Sequence, residues 1–287
     1  MRRTLLNPKI DFVFKKIFGS EEHPEILISF LNAVLKPKKP IVSVEIKNSD
    51  LEKEYIEDKF SRLDVKALTS NKEIINIEIQ LKNEYNMIQR SLYYWSKLYE
   101  EQLEEGDRYD KLCRTVCINI LDFKYLKNDR FHNGYRLKEI ETNEELTDLE
   151  EIHFIEIPKL KKINSEKDIV DVLEGWVEFL RDPESEVVRK LEMTNKEIRE
   201  AKDELYRLSM DEKERALYFI REKSIRDEIS ALANAEEKGM ERGIKKGERN
   251  KAIEIAKSLL DVLDIETISI KTGLSIKEIE DIAVMKK

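Results

Sequence analysis

Two cysteines, three histidines and six prolines are all that 287 residues contain. Cys113 and Cys117 stand at a C-x3-C spacing that suits neither a structural zinc site nor a disulfide framework, and three histidines add little to it. The two cysteines read instead as reduced thiols packed in a core. No run of about 18 apolar residues occurs, which leaves no segment suited to cross a membrane as a helix. The opening M-R-R-T-L-L-N-P-K-I-D also lacks the apolar stretch of a signal peptide. A cytoplasmic protein without a membrane partner is expected. Strong basicity is missing as well. A formal net charge of −8 argues against a general polyanion binder. Nucleic-acid contact depends on local surface rather than on the total, however. Residues 1–165 are close to neutral and the remainder carries most of the negative excess, so the first part is the better host for a polyanion.

What is present is charge, 39% of all residues, and a length that can bury a sizeable core in more than one domain. The chain divides by pattern into three regions: an α/β part over 1–165, long charged helices over 166–250 and a small helical module over 251–287. In the first, Ile10, Val13, Phe14, Ile17 and Phe18 recur at helical spacing, with Pro8 ahead and Gly19 behind. Asp11 falls off that apolar face in the first turn, where a carboxylate suits the helix dipole. Lys15 lies one turn on, placed to pair with Asp11 or to meet a phosphate. A second helix is predicted over 24–35 and a strand over 42–46.

Residues 62–81 form the centre of the pattern. Two aliphatic runs, 62–68 and 74–81, flank Thr69-Ser70-Asn71-Lys72 and predict a β-hairpin. In the second run Ile75, Ile77, Ile79 and Leu81 alternate with Asn76, Glu78 and Gln80, so Glu78 and Gln80 share a face. Asp64 could reach that face across the hairpin. By alternation alone this is the wet side of a half-exposed sheet. Its chemistry allows more. Two neighbouring carboxylates repel and are costly to bury unpaired, and a divalent cation resolves both problems.

A helix over 87–102 carries Ile88, Leu92, Trp95, Leu98 and Tyr99 toward a core, with Arg90 and Tyr94 sharing a face four residues apart. Residues 114–121 suit a buried central strand. Residues 124–138 interleave basic and aromatic side chains, so Lys127 and Arg130 could contact nucleic acid; an edge strand kept soluble by charge reads equally well. A last strand is predicted over 151–158. Beyond it helical patterns dominate, over 168–180, 186–207 and 211–234, and Pro183 is the only proline. Gly239, Gly243 and Gly247 then mark either a helix face open to close approach or a bendable linker. Residues 252–283 read as three short helices, with Ser275 and Glu278 forming a capping box. Pairing of the helical tail in a homo-oligomer is one use for its apolar stripe.

The D-x13-E-x-Q pattern of Asp64, Glu78 and Gln80, behind a helix reading D-F-V-F-K-K-I-F-G over 11–19, resembles the PD-(D/E)XK nuclease superfamily. More closely it resembles the Rpn family of recombination-promoting nucleases and transposases. The resemblance covers roughly the first half of the chain. It implies an αβββαβ core, a mixed sheet flanked by helices with its site at one edge. It also implies metal-dependent hydrolysis of DNA phosphodiesters that leaves 5′-phosphates. Asp64, Glu78 and the Ile79 carbonyl would hold Mg²⁺, or Mn²⁺ or Ca²⁺ in its place. Gln80 stands where the superfamily pattern has lysine and would position water. Asp11 would offer an additional acid, and Arg90 and Tyr94 would lie near the phosphate. Three alternatives remain open: a catalytically silent nucleic-acid binder, a transposase that also joins strands, and a structural coiled-coil protein.

Overall fold

The structure is a computed structural model that describes residues 4–47, 64–162 and 171–286. The acidic connector over 50–58, the first two residues of the predicted hairpin and residues 168–170 of a predicted helix lie outside the described residues. Helix α1 (Asp11–Phe18) buries Val13, Phe14, Ile17 and Phe18, and α2 (Pro24–Leu35) buries the stripe read from its spacing. Gly19 closes α1 where a Cβ would stand 2.7 Å from the Lys15 carbonyl oxygen, so the close turn requires glycine. Phe14 stacks on Phe18 at 4.5 Å between ring centres, and Phe18 meets Phe30 and Trp176 edge-on at 5.4 Å each. Those rings join α1 and α2 to α4 (Val172–Arg181).

The described strands form one mixed sheet in the order β1-β2-β3-β4-β6-β5: β1 (Val44–Lys47), β2 (Val65–Thr69), β3 (Ile74–Gln80), β4 (Thr115–Leu121), β5 (His132–Lys138) and β6 (Glu145–Glu156). The β2–β3 pair is the predicted hairpin, and Lys72 takes the left-handed conformation in its turn at φ 62°. β3, β4 and β6 run parallel, with α3 (Met87–Glu100) as the crossover from β3 to β4. Every residue of β4 is buried, as its continuous apolar run predicts. Cys117 is buried and Cys113 half-buried, and neither forms a disulfide. The basic window places β5 on the edge of the sheet, paired only with β6.

Three expectations are corrected. The polar face of β3 is not wet, because α3 covers it: Asn76 and Glu78 are 1% and 2% exposed. The core stripe of α3 is turned by one residue from the predicted one. Met87, Ser91, Tyr94 and Leu98 are buried, whereas Ile88 and Leu92 are exposed. The turn follows from polar contacts, since Ser91 donates to Asn119 on β4 at 2.9 Å and draws that face inward. The helix predicted over 186–207 is two helices, α5 (Glu186–Thr194) and α6 (Lys196–Met210). Asn195 breaks them apart, its side chain accepting the Ile198 N–H at 2.8 Å as the N-cap of α6.

Contact density divides the chain into two compact units, Met1–Lys223 and Ser224–Lys287. In the first, α4 packs on α2, and α6 packs on both α1 and α2, so these helices of the charged region lie against the α/β part. Helix α7 (Glu212–Leu259) runs unbroken through Gly239, Gly243 and Gly247, which decides for a helix over a linker. In the second unit Ala256, Ile268, Leu274, Ile279 and Ile282 form a small core with α8 (Ile265–Thr272) and α9 (Ile276–Lys286). The capping box is formed there: Ser275 Oγ accepts from Glu278 N at 3.3 Å, and Glu278 accepts from Ser275 N at 2.9 Å. No helix among the described residues is long and apolar enough to cross a membrane.

Candidate active site

Register builds the site. The β2–β3 ladder pairs Val65 with Ile77, so one further step sets Asp64 opposite Glu78. β3 is the third strand of six, which puts the acids at the strand ends inside the sheet rather than on an edge strand. Asp64 Oδ2 accepts the Ile79 N–H at 2.8 Å, fixing the carboxylate beside the second acid. Glu78 lies under α3, where Arg90 Nη2 donates to its Oε2 at 3.3 Å. Gln80 Nε2 reaches the same oxygen from one side at 3.5 Å. The Arg90 guanidinium lies 5.3 Å above the Tyr94 ring and 3.9 Å from Glu84. Behind Glu78, Asn119 is its in-register neighbour on β4, donating to the His153 carbonyl at 3.0 Å and accepting from Ser91.

Charge is poorly compensated here. Burial drives the Asp64 carboxyl well above its usual range, and the charge of Asp11 adds to this. The Ile79 N–H, Arg90 and Lys15 offset only part of the rise. Glu78 is raised as well, by burial first and by the Asp64 charge second, and Arg90 again offsets only part. Both side-chain contacts to Glu78 fall on Oε2, and the Asp64 backbone offsets a further part of its rise. Its Oε1 is buried and has no hydrogen-bond partner among the described residues. An orphaned carboxylate oxygen beside a second acid offers oxygen donors of the kind a hard divalent cation takes.

The structure therefore brings together Asp64, Glu78, Ile79, Gln80, Arg90 and Tyr94. Asp11 has a different partner. Arg221, on the first turns of α7, donates through Nε to both Asp11 carboxylate oxygens at 3.0 Å and through Nη2 to one of them. No three acid, histidine or cysteine side chains converge as a metal-binding group among the described residues, so Asp11 does not stand with the other two acids as a ligand. Lys15 is half-buried on α1 and close enough to pull on Asp64. Lys127 and Arg130 are exposed on the segment leaving the C-terminal end of β4, the end at which Gln80 pairs with Leu121. Among the described residues neither forms an ion pair with the site acids.

Local pattern did not reveal Arg221, Asn119 or the Lys9–Asp122 ion pair at 2.8 Å beside the end of β3. Asp122 N donates to the Gln80 carbonyl at 2.9 Å, which brings that pair to the site. Arg221 is 210 residues from Asp11, and its only sequence signal is a cation on a charged helix.

A search of curated proteins and a search of solved structures returned no match. A family model described as PD-(D/E)XK nuclease family transposase matches residues 8–235, a span that holds Asp64, Glu78, Gln80, the covering helix and Arg221. The chain belongs to that family, the PD-(D/E)XK nuclease family transposases.

Proposed function

We propose that this protein is a divalent-metal-dependent endonuclease that hydrolyses phosphodiester bonds of DNA. The observation that carries the reading is the under-compensated pair of acids, buried Glu78 and half-buried Asp64, with Glu78 Oε1 making no hydrogen bond among the described residues. Proteins of this superfamily generally use divalent metals. Mg²⁺ fits the oxygen donors, with Mn²⁺ as a close substitute; Asp64, Glu78 and the Ile79 carbonyl would hold it. When bound, such an ion makes water a better nucleophile and offsets charge developing on the phosphate.

The chain's own residues do the rest. The Ile79 N–H orients Asp64. Arg90 keeps Glu78 from carrying its charge alone and, at the pocket mouth, can meet a phosphate oxygen. Gln80 is neutral, so it orients water or a phosphate oxygen by hydrogen bonding and supplies no charge. Lys15, Lys127 and Arg130 add positive charge along the approach for a polyanion.

A supercoiled-plasmid nicking assay with and without Mg²⁺ tests the reading against Asp64→Ala and Glu78→Ala. Metal-dependent nicking should fall about a thousandfold or more in each variant. Equal cutting by wild type and variants would misplace the site. Binding of DNA with no cutting in Mg²⁺, Mn²⁺ or Ca²⁺ would make the protein a silent binder.

A further inference from the structure

Asp11, at the start of α1, connects two charged groups. Asp64 lies beside Glu78, held by the Ile79 N–H, and Arg90 donates to Glu78. Asp11 is close enough for its charge to act on Asp64, yet its carboxylate is turned to Arg221, which grips it at two points. A fork-to-fork guanidinium–carboxylate pair is the geometry that most fully occupies both oxygens of an acid. The pair is not buried: the Arg221 side chain is 47% exposed and that of Asp11 26%. The first turns of α7 are seated on the same region by other contacts. Lys16 on α1 pairs with Glu214 at 3.1 Å, Arg215 donates to the Thr4 carbonyl at 3.2 Å, and Tyr218 is buried. Opening the Asp11–Arg221 pair therefore does not require α7 to leave.

We propose that Arg221 is a latch on the proposed metal site: in the free protein it withholds Asp11, and a phosphodiester of the substrate captures the guanidinium and releases Asp11 toward the Asp64–Glu78 pocket. Arg221 is thus a positioning residue that acts through Asp11. It makes metal binding and phosphate binding favour one another, because each costs less once the other has opened the pair. The inference rests on the metal-dependent reading of the site and adds the element that regulates it.

The test is a calorimetric Mn²⁺ titration of the full chain without nucleic acid. It compares wild type with Arg221→Gln, Asp11→Asn and the double variant, with Asp64→Asn as the control for the site. A pair this exposed weights the equilibrium modestly, so Arg221→Gln should bind Mn²⁺ up to about fivefold more tightly than wild type. The double variant should lose that gain. Arg221→Lys keeps the charge but loses the two-point grip and should fall between, and it carries the test if the glutamine variant does not fold. A 20-base-pair DNA duplex should tighten Mn²⁺ binding to wild type and leave Arg221→Gln unmoved. If Arg221→Gln binds Mn²⁺ as wild type does while Asp64→Asn does not bind, the latch is wrong and the metal site stands. If wild type shows no Mn²⁺ binding that Asp64→Asn removes, the site reading fails and the latch with it.

Discussion

Glu78 is an acid that the fold holds with less positive charge than it needs. Arg90 answers one oxygen, the Asp64 backbone offsets a further part of the charge, and Oε1 makes no hydrogen bond among the described residues. A measurable pH dependence follows. Asp64 and Glu78 are both raised, so the metal-free folded state keeps their protons to higher pH than the unfolded chain does. The stability tied to those protons is fully present below the ordinary carboxylate range, near pH 4, and is lost as pH rises through the raised folded values. The melting temperature of metal-free wild type, measured against the Asp64→Asn/Glu78→Gln double variant, should therefore fall between about pH 5 and pH 8. Mg²⁺ should restore wild type and leave the double variant unmoved. A flat difference across that range would mean the two acids are already neutralised by the protein. Alternation showed that Glu78 and Gln80 share a face. It could not show that the face is dry, since burial there depends on a helix that begins only after β3 has ended.

At the scale of elements, helices were read well where one apolar stripe meets one surface. α2 matches its predicted span because seven of its residues face a core. α3 does not follow its most apolar stripe, because a buried Ser91–Asn119 bond and the Arg90–Glu78 pair need the adjoining face, and leaving them unmade would cost more than exposing Ile88 and Leu92. α7 poses a different problem. Gly239, Gly243 and Gly247 sit in a continuous helix, and a Cβ at each would meet nothing within 4 Å. Replacing each with alanine should stabilise that stretch by about 1 kcal/mol per site. Hydrogen exchange of the amides over 236–250 should slow accordingly. Unchanged or faster exchange would mean that these glycines serve a contact with another chain. Gly273 differs, because its φ of +72° lies in the left-handed region and an alanine there would be strained.

At the scale of the molecule, every residue assigned to the site, and Arg221 with them, belongs to the unit Met1–Lys223. The unit Ser224–Lys287 has a core of its own around Ala256 and Ile268. A chain ending at residue 235, where the family match ends, should therefore bind Mn²⁺ with the affinity of the full protein by calorimetry. Weaker binding by the shorter chain, with its melting temperature unchanged, would assign the second unit a part in the site. The net charge of −8 does not describe the local field at the acids, where Arg90, Lys15 and Arg221 are gathered.

The sequence by itself determined the mixed α/β class and the hairpin, because strand alternation and turn residues are local and need no partner to be read, and the D-x13-E-x-Q resemblance pointed to its acids. The tertiary structure alone decided that Glu78 is buried beneath α3 with half-buried Asp64 beside it, and that Asp11 faces Arg221 rather than joining them. Both outcomes depend on contacts between segments far apart in the chain. Burial and pairing are properties of the space between elements, and no single stretch of residues encodes that space.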